Sequence, residues 1–244
     1  MKHIFKKGLW GLFGAVIAFS LVGCATNQPT ANRTPIDQVP MYGNMDRSSI
    51  PELKAADEAF IAGLTKEYGS REQASKQVAM NGFIYSRQGQ WDIGIKRFNQ
   101  AWLLDPNNYE AYYGFSMFLM RQKKFCEAMD MIEKALSLNP PNTVGIYSDA
   151  GGLFTMCAVQ DKSFPLEKKA KLLAQSDEFF KKGETLEPDK GNAYRIQAIA
   201  YYIRGDYANA WNRVKKALDN GAKPFSENFI NNLKQKMPEP ASLN

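Results

Sequence analysis

RQGQWDIGIKRFNQAWLLDPNN (87–108) is followed 34 residues later by a similar stretch, RQKKFCEAMDMIEKALSLNPPN (121–142). Large apolar residues, an alanine and a proline recur in the same register. The matched pairs are Trp91 and Phe125, Phe98 and Ile132, Ala101 and Ala135, Leu104 and Leu138, and Pro106 and Pro140. A repeat of fixed length is typical of stacked units, none of which can bury its apolar face alone.

The repeat resembles the tetratricopeptide repeat (TPR), a helix–turn–helix unit of 34 residues. The unit 75–108 matches that pattern at Gly82, Tyr85, Gly89, Phe98, Ala101 and Pro106. The unit 109–142 matches at Tyr112, Leu119, Phe125, Ala128, Ala135 and Pro140. A third copy, 191–222, matches at Tyr194, Tyr201, Gly205, Tyr207, Ala210 and Ala217, although NGAKP replaces the closing proline.

The resemblance implies an all-α fold, a short right-handed α-solenoid of about four units within 49–237. The segment 143–190 is expected to be one unit with about 14 extra residues, inserted around Pro165. A leading helix should begin at Ser49-Ile50-Pro51-Glu52, with Ser49 as its N-cap, and end at Gly69. A capping helix is expected over 225–236, followed by a tail over 238–244.

The N-terminus predicts export. Three lysines among the first seven residues precede the uncharged run Gly8 to Val22. As a helix this run is roughly 22 Å long, shorter than the roughly 30 Å of a bilayer core. It therefore favours a signal peptide over 1–23.

Leu21-Val22-Gly23-Cys24 resembles the lipobox of bacterial lipoproteins. The resemblance implies cleavage after Gly23 and lipidation of Cys24 with fatty acids such as palmitate, which anchor the chain to a membrane. Ala25 resembles the pattern sent to the outer membrane of Gram-negative bacteria. The polar residues of 24–48 predict a flexible tether. The alternative is an ordinary secreted protein whose cysteine falls there by chance.

Catalysis and cofactors are not expected. The only histidine, His3, lies in the predicted signal peptide, which removes histidine-based nucleophile activation and the common histidine-containing metal sites. Without 1–23, the formal charge of +6 falls to +3, because three lysines are lost and no acid precedes Asp37. That small excess argues against nucleic-acid binding. A carboxylate pair acting on cell-wall glycans remains an alternative.

The TPR resemblance places Cys126 near the start of one helix and Cys157 near the end of the next, at the same end of the stack. In an oxidising compartment they are expected either to form a disulfide or to remain two separate buried thiols. A disulfide would close a loop of about 30 residues, stabilising the fold by roughly 3 kcal/mol.

TPR proteins bind partners with the inner faces of their first helices, so the resemblance implies a groove with Tyr, Met and Arg side chains. The candidate groove residues are Lys76, Phe83, Arg87, Tyr113, Met117, Met120, Arg121, Arg195 and Tyr202. The alternative is that they pack on the leading helix or line an idle surface. We expect a periplasm-facing, lipid-anchored adaptor for an extended protein segment that carries apolar side chains and a carboxylate. A self-associating envelope lipoprotein and a cell-wall enzyme are the alternatives.

Overall fold

The computed structural model describes residues 34–142 and 145–240; the predicted signal peptide and Cys24 lie outside them. The described residues contain three short 3-10 helices and ten α-helices and no strand. The 3-10 helices are Ile36–Gln38, Pro40–Asn44 and Arg47–Ser49. The α-helices are α1 (Pro51–Tyr68), α2 (Arg71–Arg87), α3 (Trp91–Leu104), α4 (Tyr109–Arg121), α5 (Phe125–Ser137), α6 (Ile146–Gln160), α7 (Leu166–Leu186), α8 (Lys190–Arg204), α9 (Tyr207–Asp219) and α10 (Glu227–Lys236).

The helices form four consecutive hairpins: α2–α3, α4–α5, α6–α7 and α8–α9. The first helix of each hairpin also packs on the hairpin before it, while α1 flanks the first hairpin and α10 the last. This arrangement confirms the predicted all-α solenoid with flanking helices. Within the described residues, no helix has both the length and the apolar character needed to cross a membrane.

Side-chain caps and glycines set several of the helix ends. Asn108 accepts a hydrogen bond from the Glu110 amide, and Asp189 and Asp206 cap α8 and α9 in the same way. Such caps satisfy amides that have no partner within the helix. At the other end, α1 stops at Gly69, whose φ of 87° suits a residue without a Cβ.

The start of α1 differs from the prediction. Ile50, not Ser49, is the N-cap, and no side chain caps the helix. Ser49 belongs to the preceding 3-10 helix, where its hydroxyl donates to the Asp46 carbonyl oxygen. Pro51 has no N–H group to satisfy and begins the helix without a side-chain cap.

The core between hairpins is built from aromatic rings packed on glycines. Phe98 of α3 is fully buried, and its ring occupies the space that side chains would fill at Gly82 of α2 and Gly114 of α4. A Cβ added at Gly82 would lie 2.5 Å from that ring. Phe180 of α7 packs against Gly151 of α6 in the same manner. These contacts let neighbouring helices approach closely enough to exclude water.

Only part of the extra length of this unit lies in the connection around Pro165, where the sequence predicted the insertion. Helix α7 has 21 residues, against 14 in α3 and 13 in α5, and a longer connection separates α5 from α6. Leu172, Ser176, Phe180 and Gly183 form one buried stripe along α7 at helical spacing, and the helix begins six residues before this stripe. Only 161–165 lie between α6 and α7.

Buried polar groups fasten the third hairpin. Glu187, which is 3% exposed, accepts hydrogen bonds from the Tyr147 and Ser148 amides and from the Ser148 hydroxyl. The Glu187 carboxylate thus caps the N-terminus of α6, which has no side-chain cap of its own. The Arg204 guanidinium of α8 donates to Thr155 of α6 and pairs with Asp177 of α7.

Residues 34–48, which we predicted to belong to a flexible tether, are ordered. The buried Asn99 of α3 donates from Nδ2 to the Asp37 and Val39 carbonyl oxygens, each at 2.9 Å. The Tyr42 side chain is buried beneath the Arg47 guanidinium, whose central carbon lies 4.2 Å from the ring centroid. The tether prediction is therefore wrong for 34–48, because a distant asparagine satisfies backbone groups that local composition would leave to water.

The role of Asn99 can be tested by Asn99→Ala, which removes the hydrogen bonds of its side chain to the Asp37 and Val39 carbonyl oxygens and from the Tyr42 amide. Each of these hydrogen bonds stabilises the segment by about 1 kcal/mol. We therefore expect hydrogen exchange at the Val39, Tyr42 and Met45 amides to accelerate by roughly tenfold or more. The exchange of α4 to α9 should stay unchanged. Asn228→Ala, an exposed substitution on α10, is the control. Equal exchange in the two variants would show that Asn99 does not hold this segment.

Candidate protein-binding groove

A groove of about 350 Å³ runs between α2 and α4. Two methionines and two tyrosines line it, with a phenylalanine and one charged residue of each sign. The lining residues are Met80, Phe83 and Arg87 from α2 and Tyr109, Glu110, Tyr113 and Met117 from α4. Met80 is 51% exposed, so it stands at the rim, where an incoming side chain could reach it.

The floor of the groove is aromatic and held from below. The Phe83 ring centroid lies 5.0 Å from that of Phe98 in the core and 5.8 Å from that of Tyr113. The Tyr113 hydroxyl donates to Asp149 Oδ2 on α6 at 2.5 Å. Tyr113 therefore joins the groove to the third hairpin, and little side-chain freedom remains to be lost on binding.

The groove carries opposite charges on its two helices. Arg87 ends α2, whereas Glu110 lies in the first turn of α4. Burial raises the pKa of the Glu110 carboxyl, while the Asn108 side chain and the Lys76 charge act in the other direction. Glu110 Oε2 has no hydrogen-bond partner among the described residues. The lining therefore offers both a carboxylate and a guanidinium group.

Four predicted groove residues come together here: Phe83, Arg87, Tyr113 and Met117. Lys76 is exposed near Glu110, and Met120 is exposed one turn beyond the groove lining. Arg121 differs from the prediction, since its guanidinium carbon lies 5.4 Å from the centroid of the Trp91 ring. Its side chain is engaged within the chain and does not line the groove.

Arg195 and Tyr202 also differ from the prediction. The C-terminal segment covers them: the Arg195 guanidinium lies 4.5 Å from the Phe225 ring centroid, and the Tyr202 ring lies 5.4 Å from that of Phe229. The apolar face of α10, with Leu233 fully buried, requires a surface to pack on, and α8 and α9 provide it. The groove is thus confined to the first two hairpins.

The leading helix does not cover the groove. Phe60, Leu64 and Tyr68 of α1 lie by Val78 and Tyr85 on another face of α2. The alternative that the candidate residues pack on this helix is therefore wrong for the four that line the groove.

Sequence reasoning missed Met80, Tyr109 and Asp149. Met80 lies three residues before Phe83 and seven before Arg87, so helical spacing could have placed it on the same face. Asp149 is the only charged residue in α6, and a single charge in an otherwise uncharged helix is a signal of a buried partner. Tyr109 is the first residue of its repeat unit and was not among the groove residues that the TPR resemblance implied. Nothing in its sequence context indicated a place in the groove.

Comparison with known structures supports the same fold. A crystal structure of a thermophilic TPR protein from Thermus thermophilus matches with a TM-score of 0.52 and 18% identity, over 60% of this chain and 74% of that one. This chain has a TPR-like fold. Neither models of protein families nor curated protein sequences give a match.

In this TPR-like stack, Cys126 and Cys157 form a disulfide. It joins the start of α5 to the end of α6, with 4.8 Å between the Cα atoms and 31 residues between the two positions. A loop of that length corresponds to roughly 3–4 kcal/mol of stabilisation. The bond therefore fixes the second hairpin to the third. Among the described residues, no cluster of histidine, cysteine and carboxylate side chains could hold a metal ion.

Asp149, which lies beneath the groove, makes the stability of the fold depend on pH. Burial raises its pKa from 3.8 to about 6, helped by the Glu187 charge and opposed by the hydrogen bond from Tyr113. The folded state then holds the proton more tightly than the unfolded state does. The contribution of Asp149 to the free energy of unfolding is present below pH 3.8 and is lost as the pH rises through about 6.

We predict that Asp149→Asn removes this loss. Between acidic and neutral pH, the unfolding free energy of the unchanged chain should fall by about 1–3 kcal/mol more than that of the variant. Urea unfolding across that pH range measures both. Asp92→Asn, at an exposed position that begins α3, is the control and should follow the unchanged chain. Parallel stability curves for Asp149→Asn and the unchanged chain would contradict the prediction.

Proposed function

We propose that this chain is a lipid-anchored adaptor at the periplasmic face of the outer membrane, where it holds an extended segment of another envelope protein. The observation that carries the proposal is the groove between α2 and α4. Its rim is the exposed Met80, and its floor is the fixed pair Phe83 and Tyr113.

The residue types of the groove suit protein binding. Tyrosine and arginine are frequent hot spots at protein interfaces, and methionine adapts to partners of different shape. A volume of about 350 Å³ is at the lower end of the range for small-ligand pockets, so it accommodates a few side chains of a bound segment. Hydrolysis of a glycosidic bond uses a pair of carboxylates, whereas Glu110 is the only carboxylate in the lining.

The charges indicate which segment would fit. Arg87 favours an acidic side chain or a C-terminal carboxylate in the partner, because its planar guanidinium can pair with both carboxylate oxygens. Glu110, the carboxylate of the lining, favours a cationic side chain or a hydrogen-bond donor in the partner. Apolar side chains between these two groups would meet Met80, Phe83 and Met117.

The proposed location has two supports. The sequence Leu21-Val22-Gly23-Cys24 resembles a lipobox. The Cys126–Cys157 disulfide suits an oxidising compartment such as the periplasm.

Site-specific photo-cross-linking tests the groove. A photoreactive residue at Met80 should capture a discrete partner in the host, whereas one at Ile93, an exposed position on α3, should not. Arg87→Glu should reduce the Met80 adduct by about tenfold or more, since it leaves the partner's carboxylate facing a like charge. Arg121→Glu, the same change 34 residues along the chain, is the matched control and should leave the adduct intact.

The same experiment separates the alternatives. Adducts of equal yield at Met80 and Ile93 would contradict a specific groove. A Met80 adduct made only with a second copy of this chain would favour the self-associating lipoprotein. Muropeptide cleavage by the purified chain would contradict a role limited to binding.

The anchor is tested separately by Cys24→Ala. The unchanged chain should incorporate labelled palmitate and sediment with outer membranes, and the variant should do neither, because two or more acyl chains are needed for firm attachment. Recovery of the unchanged chain in the soluble periplasmic fraction would contradict the anchor and would leave the groove unaffected.

A further inference from the structure

Two connections of the stack lie side by side at the disulfide. The turn between α4 and α5 and the segment between α6 and α7 line a common cleft of about 370 Å³. Lys123, Lys124, Cys126, Cys157 and Lys162 are among its lining residues. We name residues 122–127 and 161–171 the basic tip. The disulfide fixes its two segments relative to one another.

The basic tip has an excess of positive charge. Cationic side chains outnumber carboxylates by six to three in these two segments. Two of the carboxylates are already engaged: Asp161 accepts hydrogen bonds from the Ser163 amide and hydroxyl, and Glu127 lies 3.5 Å from Lys124 Nζ. The exposed Lys123, Lys162 and Lys171 have no ion pair among the described residues.

The basic tip also exposes an apolar side chain. Leu166, the first residue of α7, is 85% exposed, more than any other large apolar residue that the structure describes. It lies off the stripe of Leu172, Ser176 and Phe180 by which α7 packs on the stack. Beside it, Lys168 Nζ lies 3.4 Å from the centroid of the Phe164 ring.

We propose that the basic tip docks on a surface of anionic phospholipids, with its lysines at the headgroup phosphates and Leu166 in the interfacial layer. Charge alone would suit any polyanion. An exposed leucine in a segment that also carries Lys162, Lys168 and Lys169 suits a bilayer. The leucine can enter the apolar boundary while the long lysine stems keep their ammonium groups at the phosphates. Each lysine near such a surface strengthens binding by about fivefold.

This surface shares no residue with the groove between α2 and α4, so the two proposals stand or fall separately. The inference also does not require a lipid on Cys24. It gives the stack a second point of membrane contact, which would fix its orientation to the bilayer.

Vesicle binding of a chain comprising residues 25–244 tests the proposal. This chain lacks Cys24 and keeps the whole compact unit Thr34–Asn244. It should bind vesicles of phosphatidylglycerol and phosphatidylcholine and not vesicles of phosphatidylcholine alone. Changing Lys123, Lys124 and Lys162 together to Gln should weaken binding by roughly 100-fold. Leu166→Asn should weaken it by roughly tenfold.

Matched controls carry the same chemical changes elsewhere. Changing the exposed Lys66, Lys181 and Lys236 together to Gln, or Leu218 to Asn, should leave binding within about threefold of the unchanged chain, because these positions lie outside the basic tip. An environment-sensitive dye on Leu166→Cys should shift its emission to the blue only on the anionic vesicles.

Equal loss of binding in the control and test variants would overturn the proposal, as would equal binding to the two kinds of vesicle. Unchanged binding by Leu166→Asn, together with full competition by heparin, would assign the basic tip to a soluble polyanion and overturn the lipid surface. An unshifted dye on bound vesicles would exclude insertion of this position.

Discussion

The packing of Phe98 between Gly82 and Gly114 is the contact on which the rest of the stack depends. The ring belongs to α3, yet it occupies the space that side chains would fill on both α2 and α4. Core packing tolerates little change in volume, so these two helices are held at one separation. Phe83 directly follows Gly82, and Tyr113 directly precedes Gly114. The centroids of these two rings lie 5.8 Å apart on the groove floor. The geometry of the groove is therefore a consequence of the core.

The chain leaves the groove between α2 and α4 open and covers the corresponding face of α8. Tyr113 hydrogen-bonds to Asp149, which connects the open groove to the third hairpin. The disulfide makes a second connection at the end of α6. Beyond that hairpin, Phe225 and Phe229 lie over Arg195 and Tyr202, so the inner face of the last hairpin is used for folding. A partner that bound as proposed would therefore contact the first two hairpins, where the groove floor is already fixed.

The sequence predicted the features that depend on local periodicity. The matched register of Phe98, Ala101 and Pro106 with residues 34 positions later predicted the repeating hairpins. The TPR resemblance that this register supports implied four of the groove residues. It could not show that Asn99 holds 34–48, because that contact joins positions some 60 residues apart. Helix positions alone also could not show that Arg87 lines the groove and Arg121 does not, because the two residues occupy equivalent places in their repeats. The difference depends on the contact between Arg121 and Trp91, which belongs to the tertiary structure.

A double-mutant cycle between Phe98 and Gly114 tests the central contact most directly. Gly114→Ala forces a methyl group into the ring and should cost about 1–3 kcal/mol of unfolding free energy, and Phe98→Leu should cost a similar amount through lost packing. In the double variant the methyl group occupies space that the smaller side chain leaves free. The combined cost should therefore be at least about 1 kcal/mol smaller than the sum of the single costs. Additivity within about 0.5 kcal/mol would contradict the claim that this ring sets the separation of α2 and α4.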